Sequence, residues 1–229
     1  MSLSMTFSPS LESQSPNSTT ENEVWPEVDV HIQLPTNLRI LSFAGLEQAV
    51  GYPFQQWYIA AGLGYQIKPM LRPHWTNIDP DKEHYLLVGA GFEFLRTAQS
   101  GQMFDEKRLT FDITPSVRPW SRILLRDRNW IEVRWVNGSQ AITYRNLISV
   151  EGDARVRNFY FTPFGTVELF YDGSNRSWDQ EWYTGGVQLP HKPGFMLEAY
   201  YRREQCATCT PQSWNIVGAT LHFFLQRPE

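Results

Sequence analysis

Ten charged side chains recur on one face of alternating segments: Arg108, Asp112, Arg128, Glu132, Arg134, Arg145, Glu151, Glu168, Glu198 and Arg202. Residues two apart in an extended chain share a face, so these groups project from one side of their strands. If that side encloses a lumen, two readings compete. Charges of both signs can line a water-filled path and select ions or solutes by field and size, or they can pair across strands and fill a narrow interior. Alternation also puts His31 and His222 on the charged face of the first and last segments. In strands of opposite direction both come late, so at about 3.3 Å per residue they are expected far apart along the axis. No Ser or Cys nucleophile stands near them on a recognisable motif. No catalytic residue is therefore assigned, the chain is expected not to be an enzyme, and no metal set or cofactor is expected.

Cys206 and Cys209 sit in one Cys-Ala-Thr-Cys stretch inside a polar turn. A disulfide local to that turn is expected, because a zinc site wants two further ligands and thioredoxin-like chemistry wants a βαβ context. Gly62-Leu63-Gly64 and Gly89-Ala90-Gly91 neither open a helix nor complete a phosphate-cradling spacing; they read as relief of crowding in a sheet wall.

The elements that carry these residues are strands. The chain has 229 residues, 19% charged and 14% aromatic, and its mean hydropathy is −0.40. No apolar run approaches the roughly 20 residues of a spanning helix, which excludes a helical membrane protein. A net charge of −4 with scattered Lys and Arg gives no nucleic-acid footprint. From Trp25 onward the dominant period is two. Val28, Val30 and Ile32 alternate with Asp29, His31 and Gln33; Ile59, Ala61, Leu63 and Tyr65 with Ala60, Gly62 and Gly64; Ile131, Val133 and Trp135 with Glu132 and Arg134. Asn137-Gly138 predicts a type I′ hairpin into the segment Ile142 to Val150. Eleven segments can be counted, and because single-chain outer-membrane barrels have even strand numbers, ten or twelve strands are expected.

Alternation alone suits a soluble barrel as well as a membrane one. Several runs reach about 10 residues, the span of a tilted membrane strand, and Trp25, Trp57, Trp135, Trp182, Tyr183, Tyr201 and Trp214 lie near strand ends, where an interfacial belt is expected. The fold class is thus an all-β, single antiparallel up-and-down transmembrane β-barrel of ten to twelve strands. Its lipid-facing set is Val88, Phe92, Phe111, Ile131, Val133, Ile148, Leu169, Leu197, Leu221 and Phe223.

The segment Leu124 to Glu151 resembles a paired hairpin of a Gram-negative outer-membrane family, domain of unknown function family 2490. Its members carry Asp-Arg-Asn-Arg and Tyr-Arg-Asn-Arg patterns, here Asp127-Arg128-Asn129-Trp130 and Tyr144-Arg145-Asn146-Leu147. Trp25 to Asp29, Thr162 to Asp172 and Asn215 to Phe224 resemble other strands of the family. Trp130 and Leu147 stand where Arg is usual, so the arginine ladder is thinner here. The resemblance implies a bacterial outer-membrane location and supplies no agreed activity.

Residues 1–23 read as a flexible polar tail without a signal-peptide pattern, residues 24–226 as the barrel and 227–229 as the C-terminal end. Expected partners are membrane lipid, with lipopolysaccharide a candidate, and no nucleic acid; oligomeric state is left open. The leading expectation is an outer-membrane barrel of unspecified role, porin-like with a narrow mixed-charge channel. The alternatives are a soluble barrel binding a small apolar ligand and, remotely, an outer-membrane lipid-modifying enzyme. Val133→Lys is expected to cost about 2–4 kcal/mol of barrel stability if Val133 meets lipid at mid-depth, whereas Arg134→Lys should be mild; denaturant titration of the refolded protein checks both.

Overall fold

A computed structural model describes residues 20–34, 37–51, 53–69, 79–99, 101–192, 194–209 and 211–226. Among these, twelve strands form: β1 (Thr20–Gln33), β2 (Leu38–Ala49), β3 (Phe54–Pro69), β4 (His84–Gln99), β5 (Gln102–Trp120), β6 (Ile123–Val136), β7 (Ser139–Gly152), β8 (Ala154–Val156), β9 (Phe159–Asp172), β10 (Ser177–Lys192), β11 (Phe195–Cys206) and β12 (Ser213–Gln226). A short 3-10 turn, Pro80–Glu83, precedes β4. Residues 1–19 and 227–229, assigned above to the tail and the C-terminal end, lie outside the described residues. Thr20 to Glu23, grouped with the tail in the sequence reading, form the start of β1.

Each long strand pairs antiparallel with the next, β7 passing directly to β9 because β8 pairs only with β9. The sheet closes where β1 meets β12, and that seam is parallel, Thr20 opposite Ser213 and Gln33 opposite Gln226. The barrel therefore has eleven strands with one extra. An up-and-down chain reverses direction at every turn, so an odd number of strands returns its last strand pointing the same way as its first. The eleven segments counted in the sequence are these eleven strands, and parity is resolved by the parallel seam without any strand being added or lost. β8 went unseen because three residues carry no periodicity.

Local chemistry explains the turns. Asn137 and Gly138 have φ of 48° and 87°, the two positive values a type I′ turn requires. At two pairs in the wall a glycine makes room for a ring: a Cβ at Gly45 would collide with Tyr58 opposite it, and one at Gly218 with Tyr200. The eleven barrel strands run from 12 to 19 residues, above the 9–11 a tilted strand needs to cross a bilayer.

The faces are inverted relative to a soluble barrel. Phe111 and Ile148 are each 52% exposed on the outside, while Glu132 and Glu168 are each 3% exposed on the inside. An apolar exterior around a charged interior is stable only where the exterior meets an apolar solvent. The belt of rings is a partial correction: Trp57, Tyr183 and Tyr201 are exposed on the outer face, but Trp25 is buried and Trp182 half-buried on the inner face, where both are used as described below.

The parallel seam is directly testable in a Cys206→Ser, Cys209→Ser background. Val24 faces Val217 and Val28 faces Leu221. Val24→Cys with Val217→Cys and Val28→Cys with Leu221→Cys should each give an intramolecular cross-link on mild oxidation, read as a gel shift. An antiparallel seam would link one pair at most.

Candidate functional site

All ten charged residues singled out in the sequence point to the inside, and each finds a partner there. Arg145 in β7 donates to Glu132 Oε1 of β6 and to Glu168 Oε1 of β9, each at 2.6 Å. Its guanidinium stacks over Trp130 at 4.3 Å, Phe170 at 4.4 Å and Trp182 at 5.3 Å. Arg202 lies over Trp182 at 4.5 Å and Trp25 at 5.0 Å and donates to Thr184 Oγ1. Arg108 and Arg134 share Glu106, both at 2.6 Å, and Arg108 also reaches Glu93 at 3.3 Å. Arg128 meets Asp112 at 3.3 Å and lies over Trp130, Arg126 meets Glu151 at 2.5 Å, and Glu198 accepts from Gln188 at 2.7 Å. Buried charges persist only when paired and hydrogen-bonded, and cation–π stacking on desolvated rings adds to each pair. Trp130 lies under both Arg128 and Arg145 and donates to Glu132 at 2.9 Å.

The sequence reading missed several members of this lattice. Glu93 and Glu106 share the inward parity of Arg108 and were legible from it. Lys82 was not: it precedes β4, yet its ammonium bonds Glu151 of β7 and Gln188 of β10. Its carbonyl accepts from Arg118 of β5 at 3.1 Å, and neighbouring Asp79 accepts from fully buried Arg39 of β2 at 2.8 Å. The 79–83 segment is thus strapped across one end of the interior, bonded to walls on several sides.

The seam holds a second group. Asp29 pairs in register with His222, and His31 with Phe224. His222 Nδ1 lies 3.2 Å and His31 Nε2 3.8 Å from Asp29 Oδ2. The expectation that the two histidines sit far apart along the axis is corrected here: it presumed strands of opposite direction, and the parallel seam brings them within two residues of one register position, ring centroids 5.7 Å apart.

The ten apolar residues assigned to lipid all lie on the outer face: Val88, Phe92, Phe111, Ile131, Ile148 and Phe223 exposed, and Val133, Leu169, Leu197 and Leu221 half-buried. That face also carries a polar island which parity with Ile131 would have located. Asn146 Nδ2 donates to Asp127 Oδ1 at 2.6 Å and to Asn129 Oδ1 at 3.0 Å, and the Tyr144 hydroxyl to Asn129 Oδ1 at 2.5 Å. Ile113 and Leu169 flank it on the adjoining strands. The non-arginine positions of the two family patterns thus meet on the outside, while their arginines meet inside. Cys206 and Cys209 are joined in a disulfide local to the turn between β11 and β12.

Removing Arg145 leaves Glu132 and Glu168 without their shared cation in a buried setting. Arg145→Ala should cost about 3–5 kcal/mol, read as a lower denaturant midpoint of the detergent-folded barrel.

The profile of the family described as "Protein of unknown function (DUF2490)" matches residues 22–215. No curated protein matches the sequence. Among solved structures the chain is similar to LpxR from Salmonella typhimurium, with TM-score 0.51 and 7% identity over 85% of this chain and 86% of that one. It also aligns with the siderophore receptor PirA from Pseudomonas aeruginosa, with TM-score 0.31 and 14% identity over 76% of this chain and 32% of that one. LpxR is an outer-membrane β-barrel and an enzyme, a lipid A deacylase. The expectation that this chain is not an enzyme is therefore withdrawn, since a barrel of this shape accommodates catalysis. The match runs from the opening of β1 to the opening of β12, and the chain belongs to the DUF2490 family.

Proposed function

We propose that the protein is an integral barrel of the bacterial outer membrane that works at its wall and does not conduct through its lumen. The observation that carries this reading is the pairing of the inward charges. Arg145 and its two glutamates, the rings of Trp130, Phe170 and Trp182, and Arg202 beyond them span from β6 to β11. The Lys82 strap ties the interior at one end to Glu151 and Gln188. Side chains paired this way favour the filled-interior reading over the narrow channel, because each charge that would bias a solute is already engaged with a neighbour. The apolar outer face with exposed Phe92, Phe111 and Ile148 supports lipid as the surrounding medium. The island of Asp127, Asn129, Tyr144 and Asn146 then supplies the polar contacts through which lipid head groups, lipopolysaccharide among them, are held at the wall.

Planar bilayers reconstituted with the folded protein should show no discrete conductance steps. Reproducible ohmic steps from the wild-type chain would restore the channel reading.

A further inference from the structure

We propose that Asp29, His31 and His222 form a binding site for a divalent cation of the zinc class at the seam between β1 and β12. One ligand-capable atom from each of the three lies within 4.8 Å of the others. Metal–nitrogen and metal–oxygen bonds of about 2.0–2.1 Å in a tetrahedral site put neighbouring ligand atoms roughly 3.3 Å apart. The separations here, 3.2 Å between His222 Nδ1 and Asp29 Oδ2 and 3.8 Å between His31 Nε2 and the same oxygen, bracket that distance.

The donor set is also uncommitted. His31 is buried at 7% exposure, and neither of its ring nitrogens has a hydrogen-bond partner; the same holds for both nitrogens of His222 and for Asp29 Oδ1. Two imidazoles whose nitrogens lack hydrogen bonds, gathered around Asp29 Oδ2, are costly unless something occupies the point between them. Two imidazoles and a carboxylate suit zinc, which accepts mixed N and O ligands, and three protein ligands leave a fourth position open.

The surroundings fix the ligands. Phe224 stacks flat on His31 at 4.6 Å, 16° from parallel, setting the plane of that ring. Glu198 Oε2 lies 3.8 Å from His222 Nε2, on the side of the ring away from the Asp29 contact, and is itself steadied by Gln188. A carboxylate behind a ligating histidine orients the ring and raises its basicity. The guanidinium of Arg39 lies 5.8 Å from the Phe224 ring centroid and is paired with Asp79, so its charge is compensated nearby. The site depends on strand parity, since closure in the opposite sense would separate the two histidines.

The test uses the full chain folded in detergent, stripped by chelator and dialysed. Titration with Co²⁺ should saturate at one ion per chain with the intense visible absorption of tetrahedral ligation, and Zn²⁺ should displace it. His31→Ala and His222→Ala should each weaken binding by more than 100-fold and Glu198→Gln by about 10-fold, with His84→Ala unchanged. Absence of saturable binding, the weak absorption of six-coordinate Co²⁺, or unaltered affinity in His31→Ala would overturn the proposal. Where a histidine variant fails to form the heat-modifiable barrel, the wild-type stoichiometry and spectrum decide alone.

Discussion

Everything in this barrel follows from the sense in which its first and last strands meet. Ten antiparallel pairings join barrel strands that follow one another along the chain, but the eleventh joins segments separated by almost the whole chain, and the odd count leaves it no choice but to be parallel. Parallel pairing is slightly less stable per residue than antiparallel, so the seam relies on length and on what it packs inside. Fourteen pairs in unbroken register supply the first. Thr220 of β12 and Tyr58 of β3 supply part of the second, both donating to Glu27 of β1.

The interior obeys a second rule, the pairing of its charges. Inward arginines and glutamates pair across neighbouring strands, and aromatic rings lie beside several of the guanidinium groups. Trp130 and Leu147 fit that pairing. Trp130 offers a surface on which two cations stack, and uncharged Leu147 faces Arg128 across β6 and β7. A lattice of this kind is self-satisfied only as a whole, because Glu106 and Arg145 each serve two partners.

Much of this was legible from residue order. Alternation through Ile131, Glu132, Val133 and Arg134 set both faces, and Asn137-Gly138 set a turn, because each is a local consequence of backbone geometry. What escaped was non-local. The depth of His222 relative to His31 depends on the parity of every turn between them, and one unit in the strand count reverses the answer. Trp25 and Trp182 have the composition of interfacial rings and the parity of interior ones; parity prevails because an inward cation, Arg202, needs their faces. The reach of Lys82 to β7 and β10 has no sequence signature, since a turn-rich stretch does not reveal whether it folds outward or across the opening.

The polar island on β6 and β7 makes the outer wall unlike a uniform apolar cylinder. Asp127, Asn129, Tyr144 and Asn146 satisfy one another by hydrogen bonds, which lowers the cost of holding them against hydrocarbon, yet the carboxylate still prefers water or a head group. With polar groups set unevenly around its outer face, here on β6 and β7 and again at Tyr201, Arg203 and Asn215 on β11 and β12, the barrel has a compass direction in the plane of the membrane, and its neighbours, lipid or protein, are arranged around it with unequal sides.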